Sequence, residues 1–145
     1  MIDNNLKFCR EDMDMTQKEL GYVFGVHETT VSGWETGKDT IPLSKLVKFC
    51  NLYNYSADYA LGLSRQNKVL SDIPKLDKIS LGKNLKSWRK RNKLNQATIA
   101  RECMISQTTY SNYEMGKFLI SSFALYTICK NHKLSMDEVL GRKVK

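Results

Sequence analysis

The sequence predicts an all-α fold, arranged as two tandem five-helix units joined by an apolar linker. Three observations predict it. The chain repeats itself. Adding 79 to each number carries Thr29-Thr30-Val31-Ser32-Gly33-Trp34-Glu35-Thr36-Gly37-Lys38 onto Thr108-Thr109-Tyr110-Ser111-Asn112-Tyr113-Glu114-Met115-Gly116-Lys117, and the register holds without a gap from Asn5/Asn84 to Gly62/Gly141. Within each copy, apolar residues recur at three- and four-residue intervals, the spacing of one helix face. Capping residues and glycines punctuate those runs where helices start and stop. Two copies are too few for a solenoid array. The expected boundaries are residues 1–63 for the first unit, 64–79 for the linker and 80–145 for the second unit.

The first helix is expected from about Asp3 to Glu11, with Asp3 as N-cap and Leu6, Cys9, Arg10 and Met13 on one face. Thr16 caps the second helix, and Glu19 three residues later completes a capping box. That helix carries Leu20, Val23 and Phe24 and stops at Gly25, a residue that enters the left-handed region freely. The third helix begins at His27 or Glu28, buries Val31 and Trp34, and ends at Gly37. Pro42 suits the first turn of a fourth helix whose inner side is Leu46, Phe49, Cys50 and Tyr53. Ser56 caps a short fifth helix closing at Leu61-Gly62.

The second unit repeats this scheme from about Ser80 to Gly141, with Leu85, Trp88, Ile99, Ala100, Cys103, Leu125, Ile128 and Cys129 in its core. Tyr110 and Tyr113 are expected inside, in place of Val31 and Trp34. Two details depart. Met104 replaces Gly25, so that turn needs another geometry or tolerates strain, and Ser121 replaces Pro42, losing a helix-start signal. Between the units, Val69, Leu70, Ile73, Leu76 and Ile79 make the linker too apolar for a free tether. It is expected to dock on one or both units and to restrict their orientation, with room for a turn of helix before Pro74.

Charge is unevenly shared. Through Gln66 there are 7 Lys/Arg against 9 Asp/Glu, and from Asn67 onward 16 against 6, so the first unit is acidic and the second basic. A surplus of that size in the second half points to a polyanion partner. Cys9, Cys50, Cys103 and Cys129 form no C-x-x-C pair and share no ligand spacing with His27 or His132, so they are expected as core residues. Neither a metal nor another cofactor is expected. No run is long and apolar enough for a membrane span and no secretory leader is evident, so the expected location is cytoplasmic. No clustered acids, phosphate loop or nucleophile–base spacing suggests an enzyme.

Helix, short turn, helix is the arrangement that lays one helix across the phosphate backbone and the next in the major groove. With TQKELGYVFGVHETTVSGWETGKDTIP in the first unit and NQATIARECMISQTTYSNYEMGK in the second, each unit resembles a helix-turn-helix domain of the Cro/lambda-repressor (XRE) family. The ending SADYALGL is similar to that of bacterial regulators of this kind. The resemblance covers nearly everything but the linker, and it implies two tandem lambda-repressor-like domains. It also implies that Arg10 with Glu35, and Arg89 with Glu114, are structural ion pairs tying helix one to the end of helix three.

On this reading Gln17 and Gln96, in the first turn of helix two, donate to DNA phosphates with help from the helix N-terminus. Lys38 and Lys117, just past helix three, and Lys90, Arg91 and Lys93 in the basic run of the second unit, are further phosphate candidates. Base edges would be met by helix three. In the second unit its outward residues are Ser106, Gln107, Thr108, Ser111 and Asn112. Gln and Asn can bond adenine N6 and N7, and a Thr methyl can meet that of thymine. In the first unit they are His27, Glu28, Thr29, Ser32 and Gly33, of which Glu28 is repelled by phosphates and Gly33 offers no side chain. The second unit is therefore the expected stronger reader.

The expected function is a sequence-specific DNA-binding transcriptional regulator of bacterial or phage type, acting as a repressor through one or both domains. The competing reading is an adaptor, or an antitoxin or inhibitor, in which the second domain holds DNA and the first binds a protein or mediates dimerisation. Double-stranded DNA is the expected partner. A homodimer and a protein partner on the first domain stay open, as do the operator, the sign of regulation and any inducer.

Overall fold

The computed structural model describes residues 3–143. Residues 1–2 and 144–145, the outermost positions of the two expected units, lie outside the described residues. Among the described residues the ordered elements are ten helices, with no strand. They fall into two compact units, the first through Asp72 and the second from Ile73 to Lys143.

The first unit consists of α1 (Leu6–Asp12), α2 (Gln17–Phe24), α3 (Glu28–Thr36), α4 (Leu43–Tyr53) and α5 (Ala57–Ala60). Helix α1 starts later than Asp3, because Asn4 Oδ1 takes the Leu6 N–H at 3.0 Å and fills the capping role. Thr16 and Glu19 form the reciprocal capping box of α2, and Gly25 ends that helix at φ 66°. The last carbonyls of α2 are covered from α4, where Lys45 Nζ donates to Phe24 O (3.2 Å) and Lys48 Nζ to Val23 O (2.9 Å). Pro42 stands just before α4 rather than in its first turn, with an extended ψ of 145° and a carbonyl that accepts from Lys45 and Leu46. The core gathers Leu20, Phe24, Val31, Trp34, Leu46 and Phe49, with Phe24 edge-on to Trp34 at 6.2 Å between ring centroids. Met13, Val23 and Tyr53 reach only its margin and are half-buried.

The second unit consists of α6 (Lys78–Arg91), α7 (Gln96–Glu102), α8 (Gln107–Glu114), α9 (Ser122–His132) and α10 (Met136–Val139). Helix α6 begins before the expected Ser80. Asp77 accepts from the Ile79 N–H at 3.0 Å and from Ser80 Oγ at 2.8 Å, and so caps a 14-residue helix where α1 has 7. Met104 tolerates the turn that Gly25 makes, at φ 59° and with its side chain 82% exposed. The strain therefore stays local and nothing in the core is displaced. Ser121 supplies the start signal that proline supplies in the first unit, accepting from Ala124 N at 3.1 Å. Leu85, Trp88, Ile99, Tyr110, Leu125 and Ile128 are buried, whereas Tyr113 is only half-buried, so it does not replace Trp34 as a core residue.

Residues 64–77 carry no helix, including before Pro74, where proline disfavours helical geometry for its predecessor. The stretch is nonetheless anchored. Asn67 accepts from Ser56 N (2.7 Å) and donates to Asn54 O (3.1 Å) in the first unit. Ile73 is buried in the second unit, and Pro74 lies against Gly141. The four cysteines are buried and form no disulfide. Burial and the nearby Asp12 push the Cys9 thiol up to about 12, and burial pushes Cys103 up to about 11.

Candidate nucleic-acid interface

Helix three of each unit is held at its C-terminal end by a forked ion pair. Arg10 Nε and Nη2 donate to the two Glu35 oxygens at 2.6 and 3.1 Å, and Arg89 does the same to Glu114 at 2.7 and 2.9 Å. The remaining guanidinium nitrogen closes the preceding turn through Met15 O (2.8 Å) or Leu94 O (2.9 Å). Two side chains thus fix the angle between helix one, the turn after it and helix three. In the second unit the buried Tyr110 hydroxyl makes no hydrogen bond of its own among the described residues. Burial drives the Glu114 carboxyl up, but hydrogen bonds from Arg89 and Gln96 outweigh it and hold the carboxyl below its usual value. Burial first, then Glu114, pushes the Tyr110 phenol well above its ordinary range.

Gln17 and Gln96 stand in the first turn of helix two, half-buried, but their amides turn inward. Gln17 Nε2 donates to Glu35 Oε1 and Gln96 Nε2 to Glu114 Oε1, each at 3.0 Å. An amide nitrogen carries two hydrogens, so one goes to the carboxylate and the other is the phosphate candidate. The expectation of a simple outward donor missed this bond because the two partners are 18 residues apart.

In the second unit α8 starts on a Ser106 cap that accepts from Thr109 N at 3.0 Å and bonds Thr109 Oγ1 at 2.9 Å, so Ser106 is occupied by the helix itself. Gln107 and Thr108 stand exposed in the first turn, and Ser111 and Asn112 follow half-buried one turn on. Residues one helical turn apart share a face, so the four make one outward strip. Lys117 is exposed beyond it, as are Phe118 (59%) and Met115 (56%).

The first unit builds the same strip differently. His27 Nδ1 caps α3, accepting from Thr29 N at 3.1 Å and pairing with Thr29 Oγ1 at 3.0 Å, which commits that hydroxyl locally. Glu28 and Thr29 are exposed and Ser32 is half-buried. Gly33 is buried beneath Asp39. A Cβ at position 33 would meet Asp39 Oδ2 at 2.7 Å, and Asp39 N donates to Gly33 O at 3.1 Å. The space that a side chain at position 33 would fill is thus taken by a carboxylate. Asp39 was not singled out in the sequence, although the repeat aligns it with Phe118 and so exposes the difference.

Lys38, Lys90 and Lys93 are exposed. Lys93 adopts φ 55° in the turn that leads to the Asn95 cap of α7. Arg91 lies elsewhere. Two residues past Arg89 it is about 200° round α6, and it lines a surface cleft with Trp88, Leu134, Glu138 and Arg142. His132 Nε2 and Glu102 Oε2 form a further contact at 2.7 Å between α9 and α7, which no local motif in the sequence announces.

The chain matches the helix-turn-helix family model over residues 6–59 and the helix-turn-helix domain model over residues 82–143. It is 36% identical over 61 residues to the antitoxin PezA of Streptococcus pneumoniae, a match covering 42% of this chain and 39% of that protein. It is 33% identical over 64 residues to the HTH-type transcriptional regulator YobD of Bacillus subtilis, covering 44% of this chain and 57% of the relative. A second B. subtilis protein, the HTH-type transcriptional regulator YqaE, is 28% identical over 75 residues, covering 52% and 65%. The chain spans less than two thirds of the length of each of these relatives. No described helix is long and apolar enough to cross a membrane.

Proposed function

Since the chain consists of two XRE-type helix-turn-helix domains in tandem, we propose that it is a sequence-specific DNA-binding transcriptional regulator whose second domain reads the major groove with α8. The observation that carries this reading is the outward strip Gln107, Thr108, Ser111 and Asn112, on a helix whose inner end is locked by Arg89 and Glu114. A reading helix needs a fixed angle to the groove, and the forked pair supplies it. Gln107 and Asn112 suit adenine edges, Thr108 suits a thymine methyl, and Gln96, Lys90, Lys93 and Lys117 suit the flanking phosphates. The basic surplus of the second half adds a sequence-independent attraction.

Selection of duplexes from a random-sequence pool by the full chain tests this. A defined motif is expected, and Gln107→Ala or Asn112→Ala should relax it at one position with a loss of about 1–3 kcal/mol. Retention of all sequences alike would refute it. Repression, rather than activation, is expected when the recovered site is placed within a promoter driving a reporter. The acidic strip of the first domain favours a second reading, in which that domain binds a protein or a second copy of the chain. Separate titrations of Glu28→Ala and Gln107→Ala distinguish them: loss in both means dual readout, and loss in the second alone means that reading is confined to one domain.

A further inference from the structure

The geometry around Gly33 points to Asp39 as the residue that closes the first domain's reading face. This rests on the DNA-reading proposal above and says which side chains make the two domains unlike. Along the outward strip of helix three, Thr29 and Ser32 recur as Thr108 and Ser111, so residue type at those positions does not distinguish the domains. Apart from the caps His27 and Ser106, the differences are Glu28 against Gln107, Gly33 against Asn112, and Asp39 against Phe118. In the structure two of the three merge into one feature, because the Asp39 carboxylate occupies the space that a side chain at position 33 would fill.

The result is a strip with Glu28 at its start and Asp39 over its second turn, both exposed. A duplex lines each groove with phosphates, so a helix entering the groove with two carboxylates meets repulsion, whereas the second domain enters with uncharged residues there. Lys45 and Lys48 keep their charge but are held at the C-terminal end of α2, where they donate to its last carbonyls. Lys38 is the nearby counter-charge, and its counterpart Lys117 is present in the second domain as well, so it cancels from the comparison. Asp39 is therefore a specificity-determining residue: it confines base reading to the second domain.

Full-length chain carrying Glu28→Gln, Gly33→Asn and Asp39→Phe tests this by placing the second domain's strip on the first. The obstacle to Asn at position 33 is the end of a side chain and not backbone, and Phe at position 39 has room to turn outward as its exposed counterpart Phe118 does. Duplex selection should recover a longer motif with a second recognition element, and the fall of affinity with salt should steepen by about one or more phosphate contacts. A conservative partner, Glu28→Gln with Asp39→Asn, should bind random-sequence duplex about threefold or more tightly at low salt, with the gain fading as salt rises. Circular dichroism melting confirms that each variant is folded. An unaltered motif and affinity in both variants would overturn the inference, as would weakened binding by wild-type chain carrying Ser32→Ala or Asp39→Asn alone. If wild-type chain selects no motif at all, the DNA-reading proposal falls first; if Gln107→Ala relaxes the motif while the grafted strip adds nothing, only the inference about Asp39 falls.

Discussion

Gln96 and Arg89 converge on the same atom: Gln96 Nε2 at 3.0 Å and Arg89 Nη2 at 2.9 Å both donate to Glu114 Oε1. The first residue of helix two is therefore wired to the last of helix three. Gln96→Ala should lower the stability of the second domain by about 1.5–3 kcal/mol, the scale of a hydrogen bond to a charged group. If the other amide hydrogen meets a phosphate, the same variant should also reduce the salt dependence of DNA binding by about one unit of slope. Denaturant melts and a salt titration measure the two effects separately.

Glu114→Ala should be costlier. With both side chains nearly buried, 11% exposed for Arg89 and 1% for Glu114, removing the acid strands a guanidinium. Breaking a buried pair in this way costs about 3–5 kcal/mol. Hydrogen exchange should show the amides of α6 to α10 losing protection while those of α1 to α5 keep theirs. Uniform loss across both domains, or none, would contradict this.

Acid should weaken the second domain through the same carboxylate. Glu114 titrates below the ordinary value of 4.5 when folded, so the unfolded chain takes up that proton more readily. Its stabilisation is complete above the unfolded value and disappears as pH falls through the folded one. Urea midpoints should therefore drop as pH falls below the ordinary value of 4.5, and Glu114→Gln, although less stable at neutral pH, should show a flatter decline.

Two backbone positions should respond in opposite directions. A Cβ on Gly82 would lie 2.4 Å from Tyr113 O and 2.6 Å from Glu114 O, so Gly82→Ala must push α6 from α8 and cost at least about 1–3 kcal/mol. Met104, held at φ 59° and exposed, should gain from glycine. Relief of left-handed strain slightly exceeds glycine's entropic cost, so Met104→Gly should stabilise by up to about 1 kcal/mol. Thermal melts of the two variants decide both.

The cysteines should be inert in the native protein. All four are buried, and Cys9 and Cys103 have thiols pushed up to about 12 and about 11, which leaves little thiolate near neutrality. Iodoacetamide should label none of them in buffer and all of them in denaturant, with mass spectrometry as the readout.

What the sequence by itself determined is the repeat and its punctuation. The 79-residue register, the Thr16–Glu19 capping box, the Gly25 and Gly37 stops and the Ser56 cap depend on neighbours within a few residues, and such signals are readable locally. Boundaries slipped where a different nearby residue did the capping, as at Asn4 and Asp77, and Ser121 supplied a start signal where the loss of proline removes one. Only the tertiary structure decided where long side chains went. Gln17 and Gln96 bend inward to carboxylates 18 residues away, and Asp39 folds back over Gly33. These outcomes depend on which helices pack together, since an exposed donor and a buried one are the same letters until packing brings the acceptor near.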